Sequence, residues 1–159
     1  LGNQEGAVSM ENGVISLSTD PLGDNGSSVQ IPNPFTDCKT LTEAVKLAGF
    51  DMSTPEVINK SDARVFRAVE GDMLEVIYLN GETETARVRK ALGTEDISGD
   101  YNNYSQVSTI SVGNMSVTMK SNNGSTILAT WNDGVYAYAI SIDSGISEAD
   151  MSKLISEIK

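Results

Sequence analysis

The chain has 159 residues, 39% of them hydrophobic and 21% charged, so it can bury one core and still leave a tail. Lys and Arg number 11 against 22 Asp and Glu, and the net charge of −11 argues against a nucleic-acid footprint across the domain. Histidine is absent, which excludes Ser-His-Asp and Cys-His catalysis and the histidine-based zinc sites.

The single cysteine, Cys38, cannot form an internal disulfide or a four-cysteine zinc site. It reads as a small buried apolar residue, because Asp37 opposes the activating charge of Lys39. No apolar run approaches the ~20 residues that a membrane-spanning helix needs. The sequence starts at Leu1 without a methionine or a visible signal peptide, which suggests a trimmed or mature form. Abundant Ser, Thr and Asn, sparse Lys and one Cys give it the composition of an exported protein.

In chain order, residues 1–33 read as an acidic arm or tether rich in Gly, Ser and Asn. Within it, Gly13-Val-Ile-Ser-Leu-Ser18 has the alternating β-branched pattern of an edge strand or of a strand that pairs with a neighbour. Pro32 and Pro34 bracket the entry to a compact domain over residues 34–159. The first helix spans Thr40 to Ala48. Thr40 and Glu43 have capping-box spacing, Leu41, Ala44, Val45 and Ala48 share a face, and Gly49 suits the end.

After Pro55 the period changes to two. Strands are expected at Ala63–Glu70, Met73–Leu79, Glu82–Lys90, Gln106–Val112, Met115–Lys120, Ser125–Trp131 and Val135–Ile142. Gly71-Asp72, Asn80-Gly81, Gly113-Asn114, Asn123-Gly124 and Asn132-Asp133-Gly134 separate them as turns. A second helix follows, with Ser147 as cap, Asp150 as the reciprocal acid, an Ile146–Met151 staple, and a stripe of Met151, Leu154, Ile155 and Ile158. The expected fold is α+β: one curved antiparallel meander of about seven strands with an N-terminal and a C-terminal helix packed on it. Val135, Ala137 and Ala139 are expected to face a helix, and Tyr136, Tyr138, Ile140 and Ile142 the other side.

The stretch Trp131-Asn-Asp-Gly-Val-Tyr-Ala-Tyr-Ala-Ile-Ser-Ile142, followed by Gly145-Ile-Ser-Glu-Ala-Asp-Met151 and Leu154-Ile-Ser-Glu-Ile158, resembles the ending of an uncharacterised extracytoplasmic domain family of Gram-positive bacteria. Val76–Gly81 and Arg89–Tyr101 fit the same pattern. That family occurs in predicted lipoproteins and in membrane proteins of anti-sigma-factor-like architecture. It carries no assigned activity or catalytic residues. The resemblance implies an extracytoplasmic location, a lipid anchor upstream of Leu1 and a half-barrel-like form; fold analogy does not assign a function.

Three constellations carry candidate chemistry. In the loop Thr94–Tyr104, Glu95, Asp96 and Asp100 with Asn102 and Asn103 offer oxygens to a hard cation, Asp96 and Asp100 foremost, though the spacing is not that of an EF-hand and local side-chain turns explain it as well. Hairpins folded about Gly71-Asp72 and Asn80-Gly81 place Arg67 near Val76 and Leu74 near Arg87. Arg67, Arg87, Arg89 and Tyr78 then form one anion-binding face, with pairing to Glu75, Glu82 or Glu84 as the competing arrangement. Trp131, Tyr136, Tyr138, Tyr101 and Tyr104 suit a sugar- or peptide-binding surface or, alternatively, a core with hydroxyls reaching partners.

No P-loop, GxSxG or SxxK motif is present, and no carboxylate pair stands out for glycoside hydrolysis. The expected function is therefore a non-enzymatic envelope domain that binds a protein, a peptide or a lipidic ligand without a cofactor. A sensor domain of an anti-sigma-type membrane protein is the alternative, and a hydrolase a distant third. The oligomeric state is open from sequence, with a homodimer through the N-terminal arm as one arrangement.

Overall fold

The computed structural model describes residues 34–159, apart from Tyr101. The arm, its Gly13–Ser18 strand and the dimer contact expected through it lie outside the described residues. Phe35–Lys159 form one compact unit.

Among the described residues, eight strands build one open antiparallel sheet in the order β1-β2-β3-β4-β8-β7-β6-β5. They are β1 (Thr36–Cys38), β2 (Ala63–Val69), β3 (Met73–Asn80), β4 (Thr83–Leu92), β5 (Gln106–Val112), β6 (Met115–Asn122), β7 (Ser125–Asn132) and β8 (Tyr136–Ile146). Two helices, α1 (Leu41–Ala48) and α2 (Glu148–Glu157), complete the α+β fold.

The sheet departs from the expected single meander in two ways. It gains the three-residue β1, which pairs Thr36 with Ala68 and Cys38 with Phe66. It is also two meanders joined side by side: β4 pairs with β8, from Ala86 opposite Ile142 to Leu92 opposite Tyr136, and the connection 93–105 carries the chain to the far edge. The composition of the strands explains the order. Tyr136–Ile142 is apolar on both faces and gains most from a central position, whereas Gln106–Val112 is largely polar and tolerates an edge.

Both helices start where the sequence places them. The Thr40 hydroxyl accepts the Glu43 N–H at 3.1 Å, and Glu43 accepts the Lys39 N–H at 3.0 Å. The Ser147 hydroxyl accepts the Asp150 N–H at 3.1 Å. Helix α1 lies on β1, β2 and β3, and α2 on β5, β7 and β8. Ala44, Ala48, Met151 and Ile155 share one core with Leu74, Val76, Tyr78, Val88, Met119, Trp131, Tyr138, Ile140 and Ile142. The helix-bearing face of β8 is thus Tyr138–Ile140–Ile142, not the expected face of Val135, Ala137 and Ala139. Val135 is exposed, while Ala137 and Ala139 are buried on the opposite side, where Ala139 and Leu128 adjoin Ser98 of the β4–β5 connection. Larger side chains at these positions bury more apolar area against the helices than alanines would.

Candidate functional site

The four arginines of the chain all lie in β2 and β4. Strand alternation sends Arg67, Arg87 and Arg89 to the face away from the helices, and Glu75 of β3 stands between them. Glu75 is completely buried. Its Oε1 accepts from Arg67 Nε at 2.7 Å and also from the Arg67 terminal nitrogen. Its Oε2 accepts from Arg89 Nε at 2.6 Å and from Arg87 Nη1 at 3.3 Å. Arg87 turns its other edge to Glu84, at 2.7 and 3.1 Å. The Glu84 contact, with Glu75 behind it, raises the Arg87 pKa against the opposing pull of burial. Arg89 Nη1 also donates to the carbonyls of Ile97 and Ser98 at 3.0 and 3.2 Å, which fastens the β4–β5 connection across this face. The Phe35 ring lies 4.2 Å from the Arg67 guanidinium and 5.6 Å from that of Arg89.

The three expected arginines are therefore together, but around a carboxylate of the protein itself. Tyr78 is not with them. The hairpin after β2 closes with Val69 opposite Met73, so Arg67 faces Glu75 and not Val76. A bulge at Tyr78/Leu79 sets Leu74 opposite Lys90 and Glu75 opposite Arg89. Each change inverts one strand relative to β3, so the arginines stay on a common face while Tyr78 falls on the other. There it is fully buried, its hydroxyl donates to the Pro55 carbonyl, and burial raises its pKa.

Asp96 and Asp100 are occupied as turn acceptors. Asp96 Oδ1 takes the Ser98 N–H at 2.8 Å, and Asp100 Oδ1 takes the Asn102 N–H at 2.9 Å. Tyr104 donates its hydroxyl to the second oxygen of Asp100. Burial and that carboxylate push the Tyr104 phenol up to about 12. Among the described residues, no group of three or more Cys, Asp and Glu side chains is placed to hold a metal ion. Burial, then the carboxylates of Glu43 and Asp37, push the Cys38 thiol up, away from a reactive thiolate.

The described aromatics divide between core and loops. Trp131 stacks on Tyr138 with centroids 5.2 Å apart, and Tyr136 meets Phe50 at 4.9 Å. Tyr101 lies outside the described residues. Two basic residues sit on the helix side: Arg64, which the sequence did not single out, and Lys90, expected with Arg89 as a partner for Asp96 but placed on the face opposite Arg89. Lys90, nearly buried, donates to the Asp51 carbonyl at 2.6 Å, and its ammonium lies 4.4 Å from the Tyr136 ring and 5.5 Å from that of Tyr138. Burial lowers its pKa, with Asp133 and Asp51 partly countering. Arg64 lies 5.2 Å from the Phe66 ring and, with Glu56, Val57 and Asp62, lines a cavity of about 390 Å³. The signal for both was alternation: Lys90 is one residue out of step with Arg87 and Arg89, and Arg64 with Arg67.

No family model matches this chain, and no curated protein or solved structure matches it either.

Proposed function

We propose that the chain is a non-catalytic binding domain of the cell envelope that holds a protein, peptide or lipidic ligand. One observation carries the reading: among the described residues, the arginine–glutamate cluster is engaged in holding the sheet together. Three guanidiniums are engaged by one buried carboxylate, and Asp96 and Asp100 of the loop cap turns. Groups held this way lose the freedom to take up or deliver protons to a substrate. The extracytoplasmic location is supported by the Ser-, Thr- and Asn-rich, cysteine-poor composition and by the resemblance described above.

The test is to expose the protein to panels of peptides, glycans and phospholipids while recording its amide resonances and the mass of every panel member. The reading expects saturable resonance shifts with every mass unchanged. Turnover of a panel member that an acidic-residue substitution abolishes would contradict it.

A further inference from the structure

Strand β5 closes one edge of the sheet, and among the described residues it pairs only with β6. Its seven residues, Gln106 to Val112, carry no charge and no proline, and its register with β6 has no bulge. Val107 is 62% exposed. In an antiparallel ladder successive residues alternate the side to which they offer N–H and C=O, so about half of these backbone groups point away from β6. Protein edges are normally blunted by shortness, proline, charge or a bulge. The opposite edge follows that rule: β1 has three residues, follows Pro34 and carries Asp37. The β5 edge follows none of it.

Charge selects what the edge can accept. Helix α2, which lies against β5, carries Glu148, Asp150 and Glu157 at exposed positions against one cation, Lys153. On the other face, Glu95 and Asp96 line a cavity with Ser116 and Thr118 of β6, and Asp100, which accepts from Tyr104 and Asn102, lies in the same β4–β5 connection. The edge is a neutral strand with more acids than cations on either side: three acids and Lys153 on α2, and Glu95, Asp96 and Asp100 against Lys120, which pairs with Val107. A second copy of this chain, with net charge −11, would bring those flanks against themselves. The chain's own first 33 residues carry four acids and no Lys or Arg, so they lack the charge that those flanks attract.

We infer that the β5 edge takes an extended, lysine- or arginine-bearing polypeptide segment as an added strand. Main-chain hydrogen bonds give the contact its strength, and the acidic flanks select basic residues on the incoming segment. This deepens the binding reading above and rests on it.

The experiment titrates the protein with a synthetic peptide of alternating Thr and Val flanked by lysines, followed by amide resonances. A second peptide has glutamates in place of the lysines. Saturable shifts confined to residues 106–112 and their β6 partners are expected, with affinity about tenfold lower for the glutamate peptide. Val107→Lys, at an exposed position, should weaken the lysine peptide and leave the unliganded spectrum folded. Shifts elsewhere, equal affinity for the two peptides, or β5 shifts that follow protein concentration without peptide would each overturn the proposal. The last of these would identify the edge as a dimer contact. Saturable β5 shifts accompanied by cleavage of the peptide would support the docking edge and contradict the non-catalytic reading. Shifts elsewhere with the peptide intact would remove the edge and leave that reading standing.

Discussion

Trp131 is 4% exposed and its ring lies parallel to that of Tyr138, so its truncation opens a cavity in the core rather than altering a surface. Trp131→Ala should cost about 3–5 kcal/mol in urea unfolding, and a loss below about 1 kcal/mol would place the ring in a solvated position. Phenol chemistry gives a second prediction. Burial, with Asp133 alongside, pushes Tyr138 up to about 12, and Tyr104 is raised to the same value. Both phenols bind their protons more tightly folded than unfolded, where they titrate near 10. Their contribution is complete below pH 10 and is lost as pH rises through about 12. Lys90, with a lowered pKa, works in the opposite direction over the same alkaline range. Substituting both tyrosines by phenylalanine should flatten the alkaline fall in denaturation midpoint; an unchanged fall would assign it to other groups. At this scale the sequence disclosed which side chains were conspicuous but not always their face. Arg67, Arg87 and Arg89 share a face as alternation suggests, while Tyr78 left it because one loop was three residues long and one bulge added a position.

Elements were most legible where chemistry is local. The caps at Thr40 and Ser147 and the turns at Gly113-Asn114 and Asn123-Gly124 follow directly from residue type and spacing. The three-residue β1 was not legible, because so short a pairing has no period of its own. The register shift between Thr126 and Leu128 is another feature without a local pattern. It brings Gly145 of β8 against β7. An added Cβ at Gly145 would stand 2.7 Å from Ser125 Cβ and 2.9 Å from Ile127 Cδ1, at φ +76°. Gly145→Ala should therefore cost well above the roughly 1–2 kcal/mol of a left-handed non-glycine residue alone. Gly81→Ala, with φ +63° and open space around it, is the control and should cost about that lower amount. Equal costs measured by thermal unfolding would mean that β7 yields to the new methyl group.

The whole molecule depends on a pairing that no short window of sequence contains. The β4–β8 ladder joins residues some fifty positions apart, and its preference arises from the burial gained by placing the two-sided apolar strand in the middle. The arginine face, by contrast, is assembled within the β2–β3–β4 hairpins, and Arg89 ties the β4–β5 connection across it. The site was legible as a cluster and not as an arrangement, because the two readings weighed for it, ligand clamp or cross-strand pairing, differ only in where Glu75 points. In the fold, Glu75 lies under all three guanidiniums, and those side chains are 15–28% exposed. The most direct test is the stability of the double variant Arg67→Met, Arg87→Met, measured by urea unfolding. It leaves the buried Glu75 with Arg89 as its remaining arginine partner and should cost about 3–5 kcal/mol. A change below about 1 kcal/mol would mean that the arginines are free for a ligand, and would contradict the account.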